Sequence, residues 1–200
     1  AMRYYVNLKL MRSIFADFTQ LIEPVSLDEA YLDVSHAMDK ELSATRIAKA
    51  IRARVWEELS ITVSAGVSVN KFVAKVASDW DKPDWLTVVR PGEVDAFIGS
   101  MPVKKIPGVG AVTAEKMRRY GLLTCADVRD WSLHDLRQRF GKFGFVLHER
   151  ARGRDERPVK PSRIRKSISV ERTFSEDLSG PAIWEPYIDQ IFAHLLDRID

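Results

Sequence analysis

The chain changes character at Pro91, and that change limits its architecture more than any other feature. Before it, stretches of helical and strand periodicity alternate; after it come short helical runs punctuated by glycine. Residues 3–19 set Tyr5, Leu8, Met11, Phe15 and Phe18 at helical spacing, which predicts a helix with one buried stripe. Pro24 interrupts that pattern. Residues 25–34 then read as extended, with Tyr31, Leu32 and Val34 of strand character and a hairpin around 26–30. A second amphipathic helix is predicted over 44–59, with Ser43 as its cap and Ile47, Ala48, Ile51, Val55 and Leu59 on one face. A β-branched strand over 61–69, a helix over 70–78 and a strand over 86–89 complete a β-α-β-α-β order, which calls for helices packed on a sheet.

Beyond Pro91, helices are predicted over 92–99, 110–120, 125–130, 133–139 and 143–152, a small all-helical domain. Residues 154–166 form a linker rich in proline and arginine. A strand over 167–174 and an amphipathic helix over 183–199 follow. One strand and one helix bury little surface alone, so a third domain is expected to begin there and to be cut off. The class is α+β. The Ala1-Met2 start reads as a cloning remnant on a piece of something longer.

With 46% hydrophobic residues the chain can build an ordinary core. Its apolar stretches are short and broken by charge, which excludes a membrane span and a signal peptide and points to a cytoplasmic protein. The single Cys125 reads as a small buried hydrophobe, and His36, His134, His148 and His194 are scattered without metal spacing, as surface or capping residues. The five tryptophans are expected to pack, Trp80 and Trp85 flanking Lys82.

Charge is uneven. Residues 101–166 carry 17 Lys and Arg against 7 Asp and Glu, whereas residues 1–100 carry 12 against 14. The excess suits a polyanion-binding surface or, equally, a solvated helical face. Within it, Lys104-Lys105-Ile106-Pro107-Gly108-Val109-Gly110-Ala111 runs into a helix as a helix-hairpin-helix signature. Its glycines let the backbone approach a phosphate, and the amides of the next helix start favour an anion. Phe140-Gly141-Lys142-Phe143-Gly144 forms a second such turn, in which both phenylalanines read as core. Arg163, Arg165, Lys166 and Ser167 offer charge and a hydroxyl along a segment that by itself reads as a flexible basic linker.

Ser26-Leu27-Asp28-Glu29-Ala30-Tyr31-Leu32-Asp33 sets three carboxylates into a stretch that otherwise favours buried sheet. In a regular strand Asp28 and Glu29 face opposite ways, so a shared site needs a turn or bulge between them. Hard oxygen donors of this kind suit magnesium and phosphoryl transfer; an exposed turn with solvated acids is the competing reading.

Four strings now fall into one order. S-L-D-E-A-Y-L-D at 26–33 resembles the acidic motif of Y-family DNA polymerases, and S-A-G-V-S-V-N-K-F-V-A-K-V-A-S-D-W-D-K-P at 64–83 resembles the palm segment that follows it. I-P-G-V-G at 106–110 resembles the thumb, and K-S-I-S-V-E-R-T-F at 166–174 is similar to the start of the little finger. The resemblance covers nearly the whole chain and is closest to the bacterial DNA polymerase IV branch. It implies a partial palm at 1–99, a helix-hairpin-helix thumb at 100–160 and the start of a little finger at 165–200. It further implies template-directed, error-prone synthesis past damage, on primer-template DNA and a deoxynucleoside triphosphate, with two magnesium ions. Asp28 and Glu29 would hold metal, Lys82 the triphosphate, and Lys105, Gly108, Gly110, Lys142, Gly144, Arg163, Arg165, Lys166 and Ser167 the DNA backbone. Asp33 belongs to the fold instead.

The family's other metal-binding aspartate, its first palm strand and its fingers have no counterpart here, and neither Asp17 nor Glu23 replaces that ligand. The piece is therefore expected to bind DNA without polymerising. Two other readings stand beside it: a non-catalytic DNA-binding module, and a scaffold for a partner such as a sliding clamp. An uncovered sheet edge also predicts self-association.

Overall fold

A computed structural model describes residues 2–37, 42–162, 164 and 166–199, with only the backbone for 2–8. The chain forms two compact units, residues 1–161 and 162–200. In the first, helix α1 (Met2–Ala16) leads to strands β1 (Ile22–Pro24) and β2 (Ala30–Leu32), an antiparallel hairpin in the register Ile22↔Leu32, Glu23↔Tyr31, Pro24↔Ala30. Helix α2 (Ala44–Leu59) begins where Ser43 accepts the Arg46 N–H, and it buries Ile47, Ile51 and Val55. These pack with Met11, Ile14 and Phe15 of α1 into one core, which the hairpin covers through Ile22, Ala30 and Leu32. Tyr5 and Leu8, expected in the same stripe, lie outside the described side chains.

Strand β3 (Ala65–Val67), helix α3 (Lys71–Ser78) and strand β4 (Leu86–Val88) form a parallel crossover in the register Ala65↔Leu86, Gly66↔Thr87, Val67↔Val88. Asn70 caps α3 by accepting the Val73 N–H. The strands thus fall into two pairs, and the long strand expected over 61–69 shortens to three residues.

The helical segment follows: α4 (Val94–Gly99), α5 (Ala111–Arg119), α6 (Cys125–Arg129), α7 (Leu133–Phe140) and α8 (Phe143–Ala151), with a 3-10 turn at Val103–Lys105 that the periodicity does not show. Its core is shared across the change of character at Pro91. Phe72, Val73 and Val76 of α3 lie in one buried cluster with Ile98, Met117, Leu136, Leu147 and Ala151. Cys125 sits fully buried there, its thiol pushed up to about 12 by that burial, so it does no nucleophilic work. Phe140 and Phe143 pack against the same cluster, as expected.

The residues leaving α8 are bonded back to the sheet layer. Asn70 Nδ2 donates to Gly153 O at 2.8 Å, Lys71 Nζ to Pro158 O at 3.2 Å, and the Lys160 N–H to Glu23 Oε2 at 2.7 Å. Asp155, its side chain 1% exposed, bridges Arg150 at 3.0 Å and Arg157 at 2.8 Å. Much of the expected linker is therefore pinned.

The second unit contains α9 (Pro181–Leu196). Within it, Arg172 Nη1 donates to Gln190 Oε1 at 2.9 Å, and the Phe174 and Tyr187 rings lie 4.8 Å apart. The strand expected over 167–174 does not form, because among the described residues it has no partner to complete a ladder. A second correction concerns tryptophan: Trp56 and Trp85 are more than half exposed, since they sit on the outer sides of α2 and of the loop before β4. Among the described residues no helix is long and apolar enough to cross a membrane.

Candidate functional site

The acidic string forms the turn that closes β1 to β2. The Val25 and Ser26 N–H groups both donate to Glu29 O, at 2.8 and 3.3 Å, so the chain reverses over residues 26–28 and leaves Asp28 at the apex. Alternation along a strand no longer separates the two acids. Asp28 is exposed, with Oδ1 accepting from Ser26 Oγ at 2.7 Å, while Glu29 is half-buried. Asp33 accepts the Ser35 N–H at 2.9 Å, a local turn contact that holds its carboxyl below the usual range, in keeping with a role in the fold.

Glu29 faces α3 and the loop after it. Lys75 Nζ bonds Glu29 Oε1 at 2.6 Å and Asp79 Oδ2 at 3.0 Å; Lys82 Nζ lies 2.5 Å from Asp79 Oδ1 and 3.9 Å from Glu29 Oε1. Two carboxylates and two ammonium groups thus alternate in a row: Glu29, Lys75, Asp79, Lys82. Burial alone would lower the Lys75 ammonium and raise the Asp79 carboxyl. The hydrogen bonds among these groups outweigh it, holding Lys75 above and Asp79 below their ordinary values. Lys82 is exposed and precedes a cis Lys82-Pro83 peptide. Asp84 takes a left-handed φ of 49°, its carbonyl and carboxylate bound by Arg52 at 3.0 and 2.6 Å. That clamp explains how the loop keeps its shape without glycine.

The hairpin bearing the acids is anchored behind them. Glu23 of β1 receives the buried Lys71 Nζ at 2.6 Å as well as the Lys160 N–H. Burial pushes the Glu23 carboxyl up, and these bonds outweigh it to hold it low. Asp17 is paired with Arg54 at 2.8 Å on the outer side of α2. Neither supplies a third acid to the turn.

Magnesium takes one or two protein carboxylates and completes its shell with water and phosphate. Asp28 and Glu29 suit that mode in donor chemistry. Among the described residues no three His, Cys, Asp or Glu side chains gather to hold an ion, so these residues do not form an all-protein cage.

The glycine turns lie together on the helical segment. Gly108 has a φ of 94°, and a Cβ there would lie 3.2 Å from the Phe143 ring, which sets the 106–110 turn against the start of α8. Gly110 begins α5 without a side-chain cap, and Gly108, Gly110 and Lys142 are all exposed. Lys105 is exposed too, its Nζ 4.0 Å from the Trp80 ring centroid. Gly144 is buried, with a Cβ position 2.3 Å from Leu136 O and its N–H donated to Gly141 O at 3.0 Å. Its close packing of α7 on α8 accounts for the glycine. Lys166 and Ser167 are exposed in the second unit, while Arg163 and Arg165 lie outside the described residues.

Lys75 and Asp79 escape a search for paired acids. Their signal is spacing, since Lys75, Asp79 and Lys82 recur at four- and three-residue steps from the face of α3.

A family model described as the impB/mucB/samB family matches residues 2–79, and one described as the DNA polymerase-iota thumb domain matches residues 104–155. The DNA polymerase IV of Ralstonia nicotianae is 58% identical over 166 residues, which are 83% of this chain and 46% of that protein. A chimeric Y-family DNA polymerase superposes with a TM-score of 0.86 at 28% identity, over 97% of this chain and 57% of its own. An insertion ternary complex of Dbh DNA polymerase gives 0.74 at 26% identity, over 98% and 57%. The chain spans about half the length of the curated relatives it matches. Sequence and fold agree over both the acidic hairpin and the helical segment, and the chain is homologous to about half of a Y-family DNA polymerase of the DNA polymerase IV kind.

Proposed function

We infer that the chain is the palm-and-thumb part of a template-directed, error-prone DNA polymerase that acts in translesion synthesis and DNA repair. In this reading residues 1–99 are a partial palm, 100–160 a helix-hairpin-helix thumb and 165–200 the start of a little finger. The supporting observation is the approach of Lys82 Nζ to 3.9 Å from Glu29 Oε1, which sets a cation suited to a triphosphate beside a carboxylate suited to a metal.

Asp28 and Glu29 would hold magnesium, two ions serving the complete enzyme, and the bound ion would supply Lewis-acid chemistry for phosphoryl transfer from the triphosphate to a primer 3′-hydroxyl. Lys82 binds and orients the triphosphate. Gly108 and Gly110 contact the primer-side backbone, and Lys105 and Lys142 bind DNA phosphates; Gly144, buried between α7 and α8, supports that turn without touching DNA itself. Lys166 and Ser167, with Arg163 and Arg165, are assigned to DNA binding as well. None of these groups reads bases, as an enzyme that copies any template requires.

With two carboxylates and no third ligand among the described residues, the 200-residue chain itself is expected to bind duplex DNA without extending a primer. A gel assay with labelled primer-template, magnesium and all four nucleotides should show no product; robust extension would overturn this. Duplex affinity should fall steeply with salt, and Lys142→Ala should reduce the log–log slope by about one. A flat salt dependence would instead favour a scaffold that meets a protein partner.

The exposed Gly108, Gly110, Lys105 and Lys142 favour one second reading, a non-catalytic DNA-binding module, which predicts the same salt slope but no effect of magnesium on nucleotide binding. The polymerase reading also includes a sliding clamp as partner, a cytoplasmic location and pairing between copies at free strand edges. Sedimentation at rising concentration reads out that pairing, and a monomer throughout would count against it.

A further inference from the structure

Glu29 is not waiting free for a metal. It is already held by Lys75 at 2.6 Å, and Lys75 has a second carboxylate, Asp79, at 3.0 Å. Asp79 in turn holds Lys82 at 2.5 Å. The inference rests on the metal role of Glu29 argued above. We propose that Lys75 is a positioning residue that stands in for the divalent cation at Glu29 and yields it by shifting to Asp79.

The arrangement makes such an exchange cheap. A cation arriving at Glu29 displaces Lys75 from one carboxylate, yet Lys75 keeps the other, so no ammonium is left half-buried without a partner. Phosphates drawing Lys82 away leave Asp79 to Lys75 alone, which loosens the hold of Lys75 on Glu29. Nucleotide and cation then favour each other's binding through Asp79, a coupling that is reciprocal by necessity. Without either ligand, Lys75 occupies Glu29 at 2.6 Å, so an arriving cation must displace it.

Manganese(II), paramagnetic and of similar coordination to magnesium, reads this out on the 200-residue chain without any turnover. Broadening of the Asp28 and Glu29 amide resonances during a manganese titration gives the affinity at that turn. Lys75→Met should bind roughly two- to fivefold more tightly, the range a partly exposed ion pair supports. Lys75→Arg should restore the wild-type affinity. Lys82→Met removes the same charge from farther away, so it should change the affinity less. Equal broadening in wild type and Lys75→Met, or an equal gain in Lys82→Met, overturns the exchange while leaving the metal role of Glu29 standing. No broadening at these amides in any variant overturns both.

Discussion

Replacing Gly66 by alanine is expected to destabilise the chain by about 3 kcal/mol or more, the upper end for forced overpacking. A Cβ at this position would sit 2.0 Å from Ala74 O and 2.4 Å from Ser78 N, both backbone atoms of α3. Neither can rotate away. Relief requires β3 to part from α3, and that movement exposes Val73, Val76 and Ala77, all within 3% of full burial. It also shifts the helix that presents Lys75 and Asp79 to the acidic turn. Urea denaturation should show a lower midpoint for Gly66→Ala; a change within about 0.5 kcal/mol of wild type would mean that β3 and α3 are not in such close contact.

The second large effect concerns Asp155. Burial raises its carboxyl, but hydrogen bonds from Arg157 and the charge of Arg150 outweigh this and bring it down to about 2. A carboxyl depressed on folding contributes stability above its unfolded value near 4 and loses it as pH falls through the folded value. For this shift the contribution is roughly 2 kcal/mol at neutral pH. Asp155→Asn should therefore cost about 3 kcal/mol at pH 7, since it also leaves the poorly exposed Arg150 guanidinium without its counter-charge. The difference from wild type should shrink between pH 4 and pH 2. Thermal unfolding at half-unit pH steps tests it, and a difference that stays constant with pH would discard the electrostatic account.

Local signals read well where local chemistry decides the structure. Ser43 and Asn70 cap the helices they precede, and Ile47, Ile51 and Val55 form the buried stripe that their spacing predicts. The glycine turns fall where expected, for a positive φ at Gly108 is something few other residues adopt. Three-residue strands were not legible, because the β-branched run at 61–69 shows propensity while ladder partners decide length. The exposure of Trp56 was equally hidden, since aromatic character favours burial and only the neighbours reveal that none covers it. In the site, adjacency made Asp28 and Glu29 visible. Their ionic surroundings were not, because the row through Lys75 and Asp79 joins a hairpin to a helix far along the chain. The same holds for Glu23, which meets Lys71 and the Lys160 N–H only after folding.

The shared core described above has a bearing on how the protein is made. Synthesis delivers α3 well before α8, yet Phe72, Val73 and Val76 find Leu147 and Ala151 only when α8 has left the ribosome. Until then α3 has β3 and β4 against it but its cluster is incomplete, and the first core, of α1 and α2, forms without it. Nascent chains that stop short of Ala151 would thus carry a partly open apolar cluster, a natural target for chaperones, whereas chains that pass it can close it.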